Sequence, residues 1–392
     1  MNASELRARA EAIAPWIVQI RRDLHRIPEG NFEERKTQAL VMRVLDGLGI
    51  SYTARRTWVV AEIRGAKPGP TAALRADMDG LHVTEPEGCP FRSEHEGWMH
   101  ACGHDAHPAI QLGAARLLSE AREELRGSVR LLFQPAEETV GGAAPMIEDG
   151  ALEGVSAIYG LHVQPYMNVG EMDTREGCLN ASTDDIDLTV HGVAGHAARP
   201  EQARDAIVIA AELICQLQTL ISREVSPLIP AVLTFGRIGG GQARNVICDR
   251  VALTGTLRTA DREVRAFLKR RIREMCDSVA RAYGAAIDVD ITDDYCPLIN
   301  DPAETARVLR VAGEMLGREH VHTRNAPSMG GEDFGFYLEK CPGAFYHIGC
   351  ASAQPAAPLH SRDFVLDERC LPIGCALECA MVFDRLNGEG SE

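Results

Sequence analysis

Aromatic residues are scarce in this 392-residue chain, at 5% within a hydrophobic total of 45%, so the core it builds is largely aliphatic. Basic charge is in deficit: 41 Lys and Arg stand against 56 Asp and Glu, a formal net charge of −15. That balance argues against a nucleic-acid binder, which needs a basic face to meet phosphates. Twelve cysteines are present, but with no Cys-x-x-Cys pair and irregular spacing they do not read as a disulfide framework. The N-terminal MNASELRARAEAIAPW has no continuous apolar stretch of the signal-peptide kind, and no run approaches the roughly 18 apolar residues of a membrane span. The expectation is a soluble, reduced, cytoplasmic protein with no nucleic-acid or membrane partner. Its cysteines, Cys370, Cys375 and Cys379 among them, serve as small buried hydrophobes.

What is present is α/β patterning. Leu6, Ala10, Ile13, Ile17, Ile20 and Leu24 recur at steps of three and four, one helix face with a break or fresh start at Pro15. A second helix is expected over Thr37–Leu48, ending at the Gly47/Gly49 pair. Residues 57–63, 71–75, 128–133 and 157–161 read as strands alternating with helical stretches, which predicts a largely parallel sheet covered by helices. From Gly177 the order becomes β-α-β-β-α-β, the ferredoxin-like arrangement, in a stretch of normal domain size. The expected organisation is one α/β domain over residues 1–178 and 293–392, interrupted by a smaller α+β unit over residues 179–292.

Metal-ligand residue types gather at four places. MHACGHDAH, residues 99–107, packs three histidines, Cys102 and Asp105 into nine positions. Any one of these histidines alone reads as an ordinary loop or core residue. As a cluster they do not: in an extended segment Cys102 and His104 would project to one side and share a metal, with His107 supporting them. QPAEE, residues 134–138, follows an aliphatic strand, so one of its two carboxylates can bind metal while the other moves protons. His162 ends another apolar strand, and His360 lies in a Pro-bounded loop. RADMD, residues 75–79, follows a third strand and leaves the roles of Arg75, Asp77 and Asp79 open; Asp77 reads as a ligand, a helix cap or, preferably, a carboxylate orienting a histidine. Convergence at the carboxyl ends of strands is where open α/β sheets place their sites.

These residues carry a resemblance to the aminoacylase-like metallopeptidase family, hippurate hydrolase branch. It runs nearly end to end, through HRIPEGNFEE (25–34), GPTAALRADMDGL (69–81), MHACGHDAH (99–107), LLFQPAEE (131–138), GLHVQP (160–165), GHAARP (195–200), GGGQARNVI (239–247), GTLRT (255–259), SMGGEDFGFY (328–337), PGAFYHIG (342–349) and PLHS (358–361). The resemblance implies an α/β zinc-peptidase-like catalytic domain and an inserted lid domain through which the chain forms a homodimer. It implies a dinuclear centre held by Cys102, His104, Glu138, His162 and His360, with Cys102 bridging. Glu137 is then the general base, and His196, from the lid of the partner subunit, stabilises the oxyanion. Asn245 and Arg258 grip the substrate carboxylate, where a guanidinium makes a bidentate contact. Thiolate favours zinc, while carboxylate and imidazole also accept manganese, cobalt or nickel. Where the family usually runs Ala-Leu-Pro after RADMD, this chain has Gly80, Leu81 and His82, which loosens any borrowed substrate assignment.

The function expected is metal-dependent hydrolysis of the amide bond of N-acyl or N-aroyl amino acids, or of related small amides. A dipeptidase or carboxypeptidase using the same dinuclear centre is the alternative. A non-catalytic binding protein predicts a missing Glu137 or a broken donor set, and a zinc-stabilised regulatory protein predicts paired cysteines. Neither pattern occurs.

Overall fold

In the computed structural model, which describes residues 1–388, the chain divides into two compact units. The first comprises Met1–Gly177, Ile299–Asn325 and the residues from Asp333 on; the second comprises Cys178–Leu298 and Ala326–Glu332.

The first unit opens with α1 (Ala3–Ala12) and α2 (Ala14–His25), separate helices because Pro15 falls in the first turn of α2, where a missing N–H costs nothing. Helix α3 (Arg35–Leu48) stops at Gly49, which takes the left-handed φ of 66°. Strands β1 (Ser51–Arg55), β2 (Trp58–Arg64), β3 (Lys67–Asp77), β4 (Arg126–Gln134), β5 (Val155–Asn168) and β6 (Met172–Thr174) join Val321–Thr323 and Gly343–Ala351 in one eight-stranded sheet. Its order is β1-β2-β4-β3-β5, then Gly343–Ala351, β6 and Val321–Thr323. The pairs β3/β4, β3/β5 and β5 with Gly343–Ala351 are parallel, so the centre of this mixed sheet is the parallel part that the alternating pattern predicted.

Helix α4 (Ala106–Glu120) and the last helix, Cys370–Asn387, pack on each other and on β3. Both are buried around nearly their whole circumference, the signature of helices apolar on all sides. Cys370, Cys375 and Cys379 lie in this core, and no cysteine among the described residues is disulfide-bonded.

The second unit has a four-stranded antiparallel sheet of Ala231–Gly240, Arg250–Thr259, Ser182–His191 and Ala286–Asp293, in that order. Helices Ala206–Thr219 and Arg262–Tyr283 pack against it. The order second-third-first-fourth is that of the ferredoxin-like motif. A turn over Leu220–Glu224 continues the first helix to 19 residues, long and apolar enough by length and composition to cross a membrane, which the sequence reading did not expect. Ile209, Leu213, Leu217 and Leu220 are spent on the unit's own core. Ile207 and Val208 on the same helix are about half exposed, at 48% and 51%.

One buried acid makes the first unit's stability depend on pH. Glu378, on the last helix, is 2% exposed and its Oε2 has no hydrogen-bond partner. Burial alone pushes its carboxyl well above the ordinary 4.5. The folded chain therefore keeps a proton that the unfolded chain releases near 4.5, so this group's contribution is fully present at lower pH and is lost as pH rises, by up to ~1.4 kcal/mol per pH unit. Glu378→Gln, neutral throughout, is expected to raise the thermal midpoint by a few degrees at pH 8 and to leave it nearly unchanged at pH 5. Equal shifts at both pH values would refute the assignment.

Candidate metal centre

The carboxyl ends of β3 and β4 and the middle of β5 meet beside the turn that precedes α4. The sequence reading ended the β5 strand at residue 161, but backbone pairing with Gly343–Ala351 carries it to Asn168. Its pairing with β3 stops at Arg75↔Gly160, so His162 stands just where β3 gives way to the site.

Cys102 and His104 are brought together by a different geometry from the one expected. The segment is a turn, not a strand, because Gly103 takes φ 83°. A Cβ on Gly103 would lie 2.4 Å from Val163 Cγ2, so only glycine lets this turn sit against the end of β5. The donor atoms of Cys102, His104 and His162 then lie within 4.8 Å of one another, and those of Cys102, Glu138 and His360 do likewise. His360, itself at φ 63°, is tied in through its backbone N–H, which donates to the Ala101 carbonyl at 2.9 Å.

Two of the imidazoles are oriented from behind. His104 Nδ1 lies 3.2 Å from Asp79 Oδ1, which assigns a proton to Nδ1 and turns Nε2 toward the site. That Nε2 is buried without a hydrogen-bond partner, 3.9 Å from Glu138 Oε1. His162 Nδ1 is 2.6 Å from the Val163 carbonyl oxygen, leaving Nε2 facing Cys102 Sγ at 3.4 Å. Glu138 Oε1 is also buried without a hydrogen bond, although His360 Nε2 approaches to 3.0 Å at ion-pair distance. Donor atoms converging from Cys102, His104, Glu138 and His162, with two of the rings fixed by a bond on their far side and the exposed His360 at the rim, are an arrangement suited to a cation.

The local field favours positive charge. Burial opposes charge on His104, yet Asp77 and Asp79 hold its pKa up to about 10, so a metal ion would bind there by replacing the Nε2 proton. Burial pushes the Cys102 thiol well up, reinforced by Glu138 and Glu137, so a thiolate there calls for a nearby cation. Burial and the neighbouring His107 and His104 keep His162 neutral.

His107 has no free nitrogen. Its Nδ1 bonds Asp77 Oδ1 and its Nε2 accepts from the Val163 N–H at 3.0 Å, so it supports the centre without facing it. Asp77 divides its contacts between His107 and Arg75 and is 3.8 Å from His104. Asp79, which the sequence left open, is the closer partner of His104, and its other oxygen accepts the Glu138 N–H at 2.9 Å.

Sequence reasoning missed the frame behind these residues. Arg75 is wholly buried; it donates to Gln134 Oε1 at 2.9 Å and to Asp333 Oδ1 at 2.6 Å as well as to Asp77. Gln134 Nε2 in turn donates to Asp333 Oδ2 at 2.7 Å, joining the ends of β3 and β4. Beyond Gln134 the chain turns through Ala136 at φ 57°, and Gly142 packs so closely that a Cβ would be 1.9 Å from the Pro135 oxygen. Glu137 is 7% exposed in this turn, and its carboxylate lies within the donor cluster of His104 and Glu138.

The other predicted residues lie in the second unit. His196 pairs with Val246 in a short antiparallel ladder and is exposed. Its Nδ1 accepts the Ala198 N–H at 3.1 Å, which puts the proton on Nε2. The Asn245 carbonyl accepts from the Ala197 N–H at 3.1 Å, and Arg258 Nη1 donates to the Met329 carbonyl at 2.7 Å.

Residues 73–384 match the model of peptidase family M20/M25/M40. The chain is 44% identical to an N-acetyl-L-cysteine deacetylase of Bacillus subtilis over 335 residues, 85% of this chain and 80% of that one. It is 37% identical to thermostable carboxypeptidase 2 of Saccharolobus solfataricus, covering 94% of this chain and 95% of the other. A crystal structure described as a dinuclear metal-binding M20 peptidase from Bacillus subtilis superposes with a TM-score of 0.84 at 34% identity, covering 96% of this chain and 99% of that one. The chain is a metallo-amidohydrolase belonging to peptidase family M20/M25/M40.

Proposed function

We propose that this chain hydrolyses the amide bond of N-acyl or N-aroyl amino acids at a centre of two divalent ions, zinc or manganese. The observation that carries the reading is that two donor triples, Cys102–His104–His162 and Cys102–Glu138–His360, share one thiol beside a buried Glu137. Cys102 would be the bridging ligand, with His104, His162, Glu138 and His360 completing the two ions' protein donors. When bound, the ions would polarise the amide carbonyl and lower the pKa of water toward ~7.

Glu137 has the place and the chemistry of the base. It takes a proton from water as the C–O bond forms, and returns it to the nitrogen as the C–N bond breaks, releasing a carboxylate and an amine. His196, with its proton on Nε2, is the proposed donor to the developing oxyanion, supplied by a partner copy. Asn245 and Arg258 are the proposed contacts to the substrate carboxylate. Residues 1–178 and 293–392 would form the catalytic domain and residues 179–292 the lid and dimerisation domain. The half-exposed Ile207 and Val208 support an apolar self-association surface there.

Three measurements test the reading. On a panel of N-acetyl, N-benzoyl and indoleacetyl amino acids plus dipeptides, the N-acyl amino acids are expected to turn over fastest; preference for dipeptides would favour the carboxypeptidase reading. Glu137→Gln is expected to keep its fold and metal content and to lose ~10²–10⁴-fold in kcat, whereas near-normal turnover would remove the base assignment. For self-association, Ile207→Glu is expected to convert a dimer to a monomer in sedimentation velocity, and a monomeric parent chain would contradict it.

A further inference from the structure

The motif HRIPEGNFEE has no part in the donor set, yet it ends on a carboxyl buried beside the catalytic turn. Glu34 is 0% exposed and immediately precedes α3, the position from which a side chain ordinarily caps the helix. It does not do so. Glu29 Oε2 takes that work, accepting the N–H groups of Lys36 at 2.8 Å and Thr37 at 3.0 Å. The Glu34 carboxyl is thereby released to point elsewhere.

It meets two strained backbones. Asn31 and Phe32 stand at φ 60° and 63°, and Ala136 at φ 57°, values that residues with a side chain rarely adopt. Glu34 Oε1 accepts the N–H of Phe32 at 3.3 Å and of Ala136 at 3.2 Å, while the Thr57 hydroxyl donates to Oε2 at 2.9 Å. A second tie, Asp79 Oδ2 on the Glu138 N–H, holds the other side of the same turn. Glu137 lies between the two pinned amides.

We propose that Glu34 is a positioning residue for Glu137: through the Ala136 amide it holds the left-handed turn that aims the base. The inference rests on the base assignment made above. Reach, not charge, is what this role demands. Glutamine keeps an acceptor oxygen at the same distance, and its amide can donate to the Thr57 hydroxyl oxygen. Aspartate keeps the charge but is one methylene too short to span to Ala136. Burial pushes the Glu34 carboxyl up to about 7, so near neutral pH a large share of it is uncharged and a neutral amide mimics that form.

The test compares Glu34→Asp, Glu34→Gln, Thr57→Val and Glu137→Gln in the metal-loaded full chain, on the fastest substrate of the amide panel. Kinetics are read beside metal content by elemental analysis and the thermal midpoint. Glu34→Asp is expected to lose at least ~10-fold in kcat with KM and metal content unchanged, as misplacement of a reacting group predicts. Glu34→Gln is expected to stay within about threefold of the parent. Thr57→Val, which frees Oε2, should show the same kcat-only loss at smaller size, and it stands in for Glu34→Asp if that variant does not fold. The proposal is overturned if Glu34→Gln loses as much as Glu34→Asp, if the losses follow metal content, or if Glu34→Asp and Thr57→Val both keep full kcat. Turnover by Glu137→Gln would instead overturn the base assignment, so the two failures are distinguishable.

Discussion

The site depends on one shared carboxylate. Asp79 holds the Nδ1 side of His104 with one oxygen and the backbone N–H of Glu138 with the other. A single side chain at the end of β3 thus fixes two donors on different elements, an imidazole before α4 and a carboxylate after β4. Buried groups of this kind are held in one geometry because their alternatives are costly: either would be left without a partner in a dry interior. The donor atoms His104 Nε2 and Glu138 Oε1 lack hydrogen bonds, Glu138 Oε1 having only the ion-pair approach of His360, and a cation in that place would satisfy both.

Rigidity reaches the site from behind through Arg75. A guanidinium with no exposure, bonded to Asp77, Gln134 and Asp333, locks the ends of β3 and β4 to a third segment. Burying that charge is costly unless its donors are matched, and the bonds to two carboxylates and an amide offset much of that cost. Left-handed Gly103 and Ala136 then let two turns approach more closely than ordinary backbone allows. Strain of this kind persists where the surroundings over-determine it, as they do here on both sides of the donor cluster.

Much of this was legible in the sequence, for identifiable reasons. The aliphatic strands, the break at Pro15 and the order of the second unit follow from periodicity and from residues that cannot continue a helix. Cys102, His104 and Glu138 stood out because donor types cluster in short segments. His360 could not be found that way, since it meets the others only through a loop anchored to Ala101. Asp79 was ambiguous with Asp77 because both follow the same strand, and only the fold shows that Asp77 bonds His107 and Arg75. Glu34 was hidden for a different reason: the helix was expected to begin only at Thr37, and the capping of its first turn by Glu29, which leaves Glu34 to point elsewhere, is a property of the folded loop. The short strand β1, mostly exposed, carries no alternation to announce it.

Central to the proposed function is the claim that Cys102 lies between two ions. Crystals grown with manganese or zinc, measured by anomalous diffraction at the metal edge, test it directly. The account predicts two anomalous peaks, both at bonding distance from Cys102 Sγ, one also bonded to His104 or His162 and the other to Glu138 or His360. A single peak, or two peaks of which neither touches Cys102, would contradict it.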